Sequence, residues 1–180
     1  ELAGDWAFVS SDMGLDIINI SNPAKPALEG TWTCEAGWGD IDINPQATVA
    51  VLTNAHPGEC LDSPTAVAIL DISDKKKPKM ISSISLADAG LDYVHTSTMN
   101  QNLLFLNPQA AAFYPQSKQA VAVFDIADPA KPKFLSYLEY TGDAVAHDSF
   151  LDRRGDGKKI FYGADIHRTT VWNLDDVMKP

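Results

Sequence analysis

The sequence predicts an all-β chain built as a row of similar four-stranded antiparallel sheets, and three observations predict it. First, one short motif recurs without gaps: NISNPAKP (19–26), DISDKKKP (71–78), DIADPAKP (125–132) and NLDDVMKP (173–180). Its copies start 52, 54 and 48 residues apart. Second, each copy follows an apolar run of strand length (LDII, AVAIL, AVAVF and TTVW). The first three copies also precede another run: ALEGTW (27–32), KMISSI (79–84) and KFLSYL (133–138). Third, no segment sustains the 3.6-residue periodicity that stacked helix pairs would need.

The motif reads as a turn. Asn19, Asp71, Asp125 and Asn173 stand near the ends of their strands. Asn or Asp there bonds nearby backbone and favours a turn. Pro23 and Pro129, then Pro26, Pro78, Pro132 and Pro180, deny the ladder a donor. The lysines between them are expected in solvent. Two further strands fit between motifs. One alternates with polar residues: GDIDIN (39–44), YVHTSTM (93–99) and VAHDSFL (145–151). The other is apolar: TVAVL (48–52), NLLFL (102–106) and KIFYG (159–163). Four antiparallel strands in about 50 residues make one blade of a β-propeller.

The expected division is a partial blade at 1–32, complete blades at 33–86 and 87–140, and a partial blade at 141–180. The first would begin at its second strand, DWAFVS (5–10), and the last would lack its outer strand. Propellers close with about four to eight blades. The expectation is therefore that sequence on either side, or partner chains, completes the ring.

The strand ending in Asp-Ile-Ser/Ala-Asn/Asp-Pro-Ala-Lys-Pro resembles the LVIVD repeat of bacterial and archaeal propeller proteins. The resemblance runs through the whole chain, one repeat per blade. It implies a propeller fold and a protein that is often secreted or surface-attached. It implies no common catalytic signature. Lys75 replaces the first proline of the second copy, and Val177 and Met178 depart in the fourth.

Net charge is −10, from 24 acidic and 14 basic residues. That argues against a nucleic-acid surface or an anionic membrane surface. No apolar run approaches the roughly 20 residues of a membrane helix. Cys34 and Cys60 are too few for a disulfide framework. The fold puts them on one face of neighbouring blades, so they either pair, as suits an oxidising compartment, or stay reduced.

In such a fold the entries to the inner strands and the loops between second and third strands share one face. All four histidines fall there. His95 and His147 occupy nearly equivalent inner-strand positions, and Asp40 holds the matching place one blade earlier. With His167 and Asp148 they are candidate ligands for Zn, Cu or Fe. The competing reading is a set of channel-lining polar groups that bind water and one another. The long connections at 54–65 and 107–119 offer binding candidates: His56, Glu59, Phe113 and Tyr114, joined by Arg168. Exposed aromatics on a loop can anchor a partner. The Asp152/Asp156 hairpin lacks the ligand pattern of a calcium loop. Ser97 or Ser149 could join a histidine, but no nucleophile motif singles either out.

The leading expectation is a non-enzymatic, extracytoplasmic propeller that acts as a protein-binding or assembly module, with no resident cofactor. One alternative is a metal-dependent enzyme with a His/Asp site at the channel mouth. Another is a structural surface-layer or filament component.

Overall fold

The computed structural model describes residues 1–35, 37–56, 65–108, 118–140, 146–153, 159–165 and 168–175. These form four antiparallel sheets, each made of strands adjacent in sequence. The first sheet holds β1 (Leu2–Ala3), β2 (Trp6–Ser11), β3 (Gly14–Asn19) and β4 (Ala27–Thr33). The second holds β5 (Gly37–Ile43), β6 (Val49–His56), β7 (Thr65–Asp71) and β8 (Lys79–Ser85). A one-turn helix α1 (Leu86–Ala89) leads on to the third, with β9 (Thr96–Asn100), β10 (Leu103–Asn107), β11 (Ala120–Asp125) and β12 (Lys133–Glu139). The fourth, among the described residues, has β13 (Ala146–Arg153), β14 (Lys159–Asp165) and β15 (Thr169–Asn173). The two-residue β1 pairs Leu2 with Ala7, so the first sheet also has an innermost strand ahead of residue 5. Its few residues offered no alternation to read in sequence.

The sheets stack face to face like propeller blades. Phe8, Leu15 and Ile17 of the first sheet meet Ala50, Leu52, Ala68 and Leu70 of the second. Val51, Val67 and Ile69, on the other side of the second sheet, meet Leu104, Leu106, Ala122 and Phe124 of the third. Phe105, Val121 and Val123 of the third meet Phe161 and Trp172 of the fourth. Neighbouring residues of one strand therefore enter different cores, because side chains alternate across a sheet. Strands buried on both faces need apolar residues at every position. That is why AVAIL and AVAVF read as unbroken apolar runs, whereas TTVWN of the fourth sheet keeps polar residues.

All four motif turns are built alike. Asn19, Asp71, Asp125 and Asn173 each accept the backbone N–H two residues on, at 2.8–3.1 Å. A second such turn follows at Asn22, Asp74 and Asp128. The strand pair beside the turn shifts register at the same place in three sheets, between Ile17 and Ile18, Ile69 and Leu70, and Val123 and Phe124. A bulge there bends the outer strand and adds twist.

One expectation needs correction. Lys75 is half-buried rather than in solvent. Its ammonium donates to the carbonyls of Ala47 at 2.7 Å and Ile72 at 2.8 Å, and lies 5.8 Å from the Trp6 ring centre. Where proline stands in other copies, this lysine reaches inward because two carbonyls and an aromatic face await its charge.

The turn chemistry gives a direct test. Asp125→Ala removes the acceptor for Ala127 and should lower stability by about 1–2 kcal/mol in urea unfolding. Asp125→Asn, the residue type of the first and fourth copies, should stay near wild type.

Candidate functional site

The innermost strands β5, β9 and β13 lie side by side. An innermost strand has one edge with no partner in its own sheet, so its N–H groups need other acceptors. Side chains of the adjacent blade supply them. Asp40 Oδ2 accepts the Ser97 N–H at 3.1 Å, and Asp42 Oδ2 accepts the Met99 N–H. The two carboxylates are two residues apart on β5 and bond residues two apart on β9, as the strand period dictates.

The next junction uses hydroxyls. Thr98 Oγ1 lies 2.7 Å from Ser149 Oγ and donates to the Ser149 carbonyl at 3.1 Å. Asn107 Nδ2 donates to Ser149 Oγ at 2.7 Å. Deeper in, fully buried Thr53 ties the first junction together: its hydroxyl accepts the Asp40 N–H at 2.9 Å and donates to the His95 carbonyl at 3.0 Å.

These strands line a groove of about 410 Å³ that includes Glu1, Asp40, Asp42, Asp148 and Phe150. Its character is acidic. Burial pushes the Asp42 carboxyl up to about 6, against the bonds from Met99 and Ile43, with Glu1 and Asp40 adding to the rise. Burial also raises Asp40, and the charges of Asp148 and Glu1 add to it.

The candidates from sequence fall as follows. Asp40 and Asp148 both border this groove, Asp148 with its carboxylate turned to the Ser149 N–H at 2.7 Å. His95 lies just ahead of β9, where its backbone bonds Asn107 and Thr53. His147 is in β13 and His56 in β6, but their side chains lie outside what is described. His167, Glu59, Phe113, Tyr114 and Cys60 lie outside the described residues. Arg168 is exposed just before β15. Cys34 is buried and disulfide-bonded, and the chain has one other cysteine, Cys60. Among the described residues no three His, Cys, Asp or Glu side chains form a metal-holding group. Ser149 is bound between Thr98 and Asn107, a bridging role between blades.

Sequence reading missed Asp42. The signal was present in GDIDI: a period of two puts Asp40 and Asp42 on one side of the strand, so one implies the other.

Asp42 makes stability depend on pH. Its folded value of about 6 exceeds the ordinary 3.8, so the folded chain holds this proton more tightly than the unfolded chain. The contribution is complete below about pH 4, is lost as pH rises through about 6, and amounts to about 3 kcal/mol. Asp71 works oppositely, because its bonds to Ser73 lower its carboxyl, and its window lies at more acid pH. Urea midpoints should therefore fall from pH 4 to 6.5. Asp42→Asn should flatten that slope and exceed wild type at pH 7; parallel profiles for the two proteins would contradict this origin.

Comparison with known proteins agrees with this architecture. The LVIVD repeat profile matches residues 1–33. No curated protein matches the chain by sequence. Among solved structures, a putative 6-phosphogluconolactonase from Bacteroides fragilis superposes with a TM-score of 0.64 at 12% identity, over 96% of this chain and 47% of that one. A functionally unknown protein from Desulfotomaculum acetoxidans superposes with a TM-score of 0.55 at 13% identity, over 99% of this chain and 66% of that one. The chain thus spans between about half and two thirds of the length of these structures. At such identities the likeness concerns the fold alone. Among the described residues no helix is long and apolar enough to cross a membrane. Residues 1–33 thus match the LVIVD repeat, and the row of propeller-like antiparallel sheets continues from there through the described residues.

Proposed function

We propose that this chain is a non-enzymatic, extracytoplasmic propeller module whose role is to bind protein or to assemble with it. One observation carries the reading: both end sheets present apolar rows outward. On the first sheet Leu2, Ala7, Ile18 and Leu28 align across all four strands, with Leu2 71% and Leu28 63% exposed. On the fourth, Phe150, Tyr162 and Val171 align across three strands, with Phe150 65% and Val171 54% exposed. Contiguous apolar surface of this kind marks an interaction site. The middle sheets bury the equivalent faces, so the open rows are of the same nature as the packed ones.

The disulfide of Cys34 supports an oxidising compartment, and we propose Cys60 as its partner. The acidic groove is used in joining blades: Asp40 and Asp42 already accept backbone donors of β9. No metal is included in the proposal.

The test is the association state. The purified chain should self-associate or bind a partner at micromolar concentration by light scattering, and Phe150→Asp with Leu28→Asp should abolish this while strand content by circular dichroism is retained. A monodisperse wild-type monomer that binds nothing would overturn the reading. Digested without reductant, the same sample should yield the Cys34–Cys60 peptide pair; two free thiols would remove its extracytoplasmic part.

A further inference from the structure

One motif position differs chemically in the second copy. Its fifth residue is Pro23, Lys75, Pro129 and Val177 in chain order, so only the second copy carries an amine there. Backbone holds that amine. The carbonyls of Ala47 and Ile72 accept the Lys75 ammonium at 2.7 and 2.8 Å. Burial opposes its charge, and the carboxylates of Asp71 and Asp74 favour it.

The third copy repeats this cradle without the lysine. Ala47 has a φ of 51°, and the Ile72 N–H donates to the carbonyl of Thr48, the residue after Ala47, at 2.9 Å. Gln101 also has a φ of 51°, and the Ile126 N–H donates to the carbonyl of Asn102, the residue after Gln101, at 2.7 Å. The carbonyls of Gln101 and Ile126 therefore stand where those of Ala47 and Ile72 stand one blade earlier. Neither accepts a hydrogen bond from a described residue. Asp125 and Asp128 repeat Asp71 and Asp74. Pro129, at the place of Lys75, has no side-chain donor. Lys131 and Lys133 of the same turn are exposed, and match Lys77 and Lys79 instead.

Space for a ligand is present. Gln101, Ile126 and Pro129 border a groove of about 480 Å³ between the second and third sheets. Val49 and Met99 give it an apolar side. An alkyl stem can lie along that side while its charged head reaches the carbonyls, as lysine stems do on protein surfaces. Val49 holds the place that Trp6 holds at the first junction, so this groove offers no ring face to a quaternary ammonium.

We propose that this groove binds a primary ammonium on an alkyl stem, a free amine or the lysine side chain of a bound protein, with the carbonyls of Gln101 and Ile126 as acceptors. The ligand does from outside what Lys75 does within the second blade.

The test titrates the nitrogen-15-labelled chain with n-butylammonium chloride and follows its amide resonances. Butanol controls for the stem and tetramethylammonium chloride for the charge. Saturable shifts are expected at Asn102, Ile126 and Ala127 with butylammonium, and binding about tenfold weaker or absent with either control. Pro129→Lys should abolish these shifts by supplying an internal ammonium. Lys75→Ala should add a second set, at Thr48 and Ile72. Nα-acetyl-lysine methylamide separates the two sources of ligand: affinity equal to that of butylammonium supports a protein lysine, and failure to bind supports a free amine. No saturable shift with butylammonium, or equal affinity for butanol, overturns the proposal. So does binding that survives Pro129→Lys while Lys75→Ala gains no second set.

Discussion

A twisted β-sheet with apolar residues on both faces cannot stand alone in water. Each face must be covered, and in this chain the cover is the next sheet. The second and third sheets are sandwiched completely: Ala50, Val51, Leu52, Val67, Ala68, Ile69 and Leu70 are all fully buried although they point alternately to two different cores. Burial of this kind contributes about 25 cal/mol per Å² of apolar surface. It fixes the orientation of every other element, because a sheet held on both faces has no freedom to rotate.

Stacking leaves a second problem, at the inner edges. Blades converge where the innermost strands run close together, and each inner strand carries unpaired N–H groups. Asp40 and Asp42 answer it by accepting N–H groups of β9, and at the next junction the Thr98 hydroxyl donates instead to the Ser149 carbonyl. The acidic junction is the more costly, since burial disfavours the charged carboxylate of Asp42 even as the Met99 N–H favours it. Asp40 and Asp42, part of the polar character that in sequence suggests a ligand site, thus take part in blade joining.

Much of the fold was legible because its signals are local. The motif aspartates and asparagines act within two residues of themselves, and the apolar runs are set by burial on one or both faces. The inward turn of Lys75 was not legible, since its acceptors Ala47 and Ile72 and its ring Trp6 come from three separate segments. The candidate site was read in part. Asp40 was singled out at the inner strand as a candidate ligand; its bond to the Ser97 N–H of the neighbouring strand was not legible. That role depends on how closely β5 and β9 approach, a distance no single strand encodes. The close approach of Gly30 to the Lys75 carbonyl and the bond from Ser82 to the Pro129 carbonyl were hidden for the same reason, because each partner lies in the following blade's turn.

Stability comes from sheet-on-sheet burial, and the two end sheets each keep one face open. Native-state hydrogen exchange on the isolated chain tests it most directly. Amides of Leu52, Leu70, Phe105 and Val123, in sheets covered on both faces, should exchange only through global unfolding, while Val9, Ile18, Tyr162 and Val171 should exchange through local opening at clearly faster rates. Equal protection across all four sheets would contradict it.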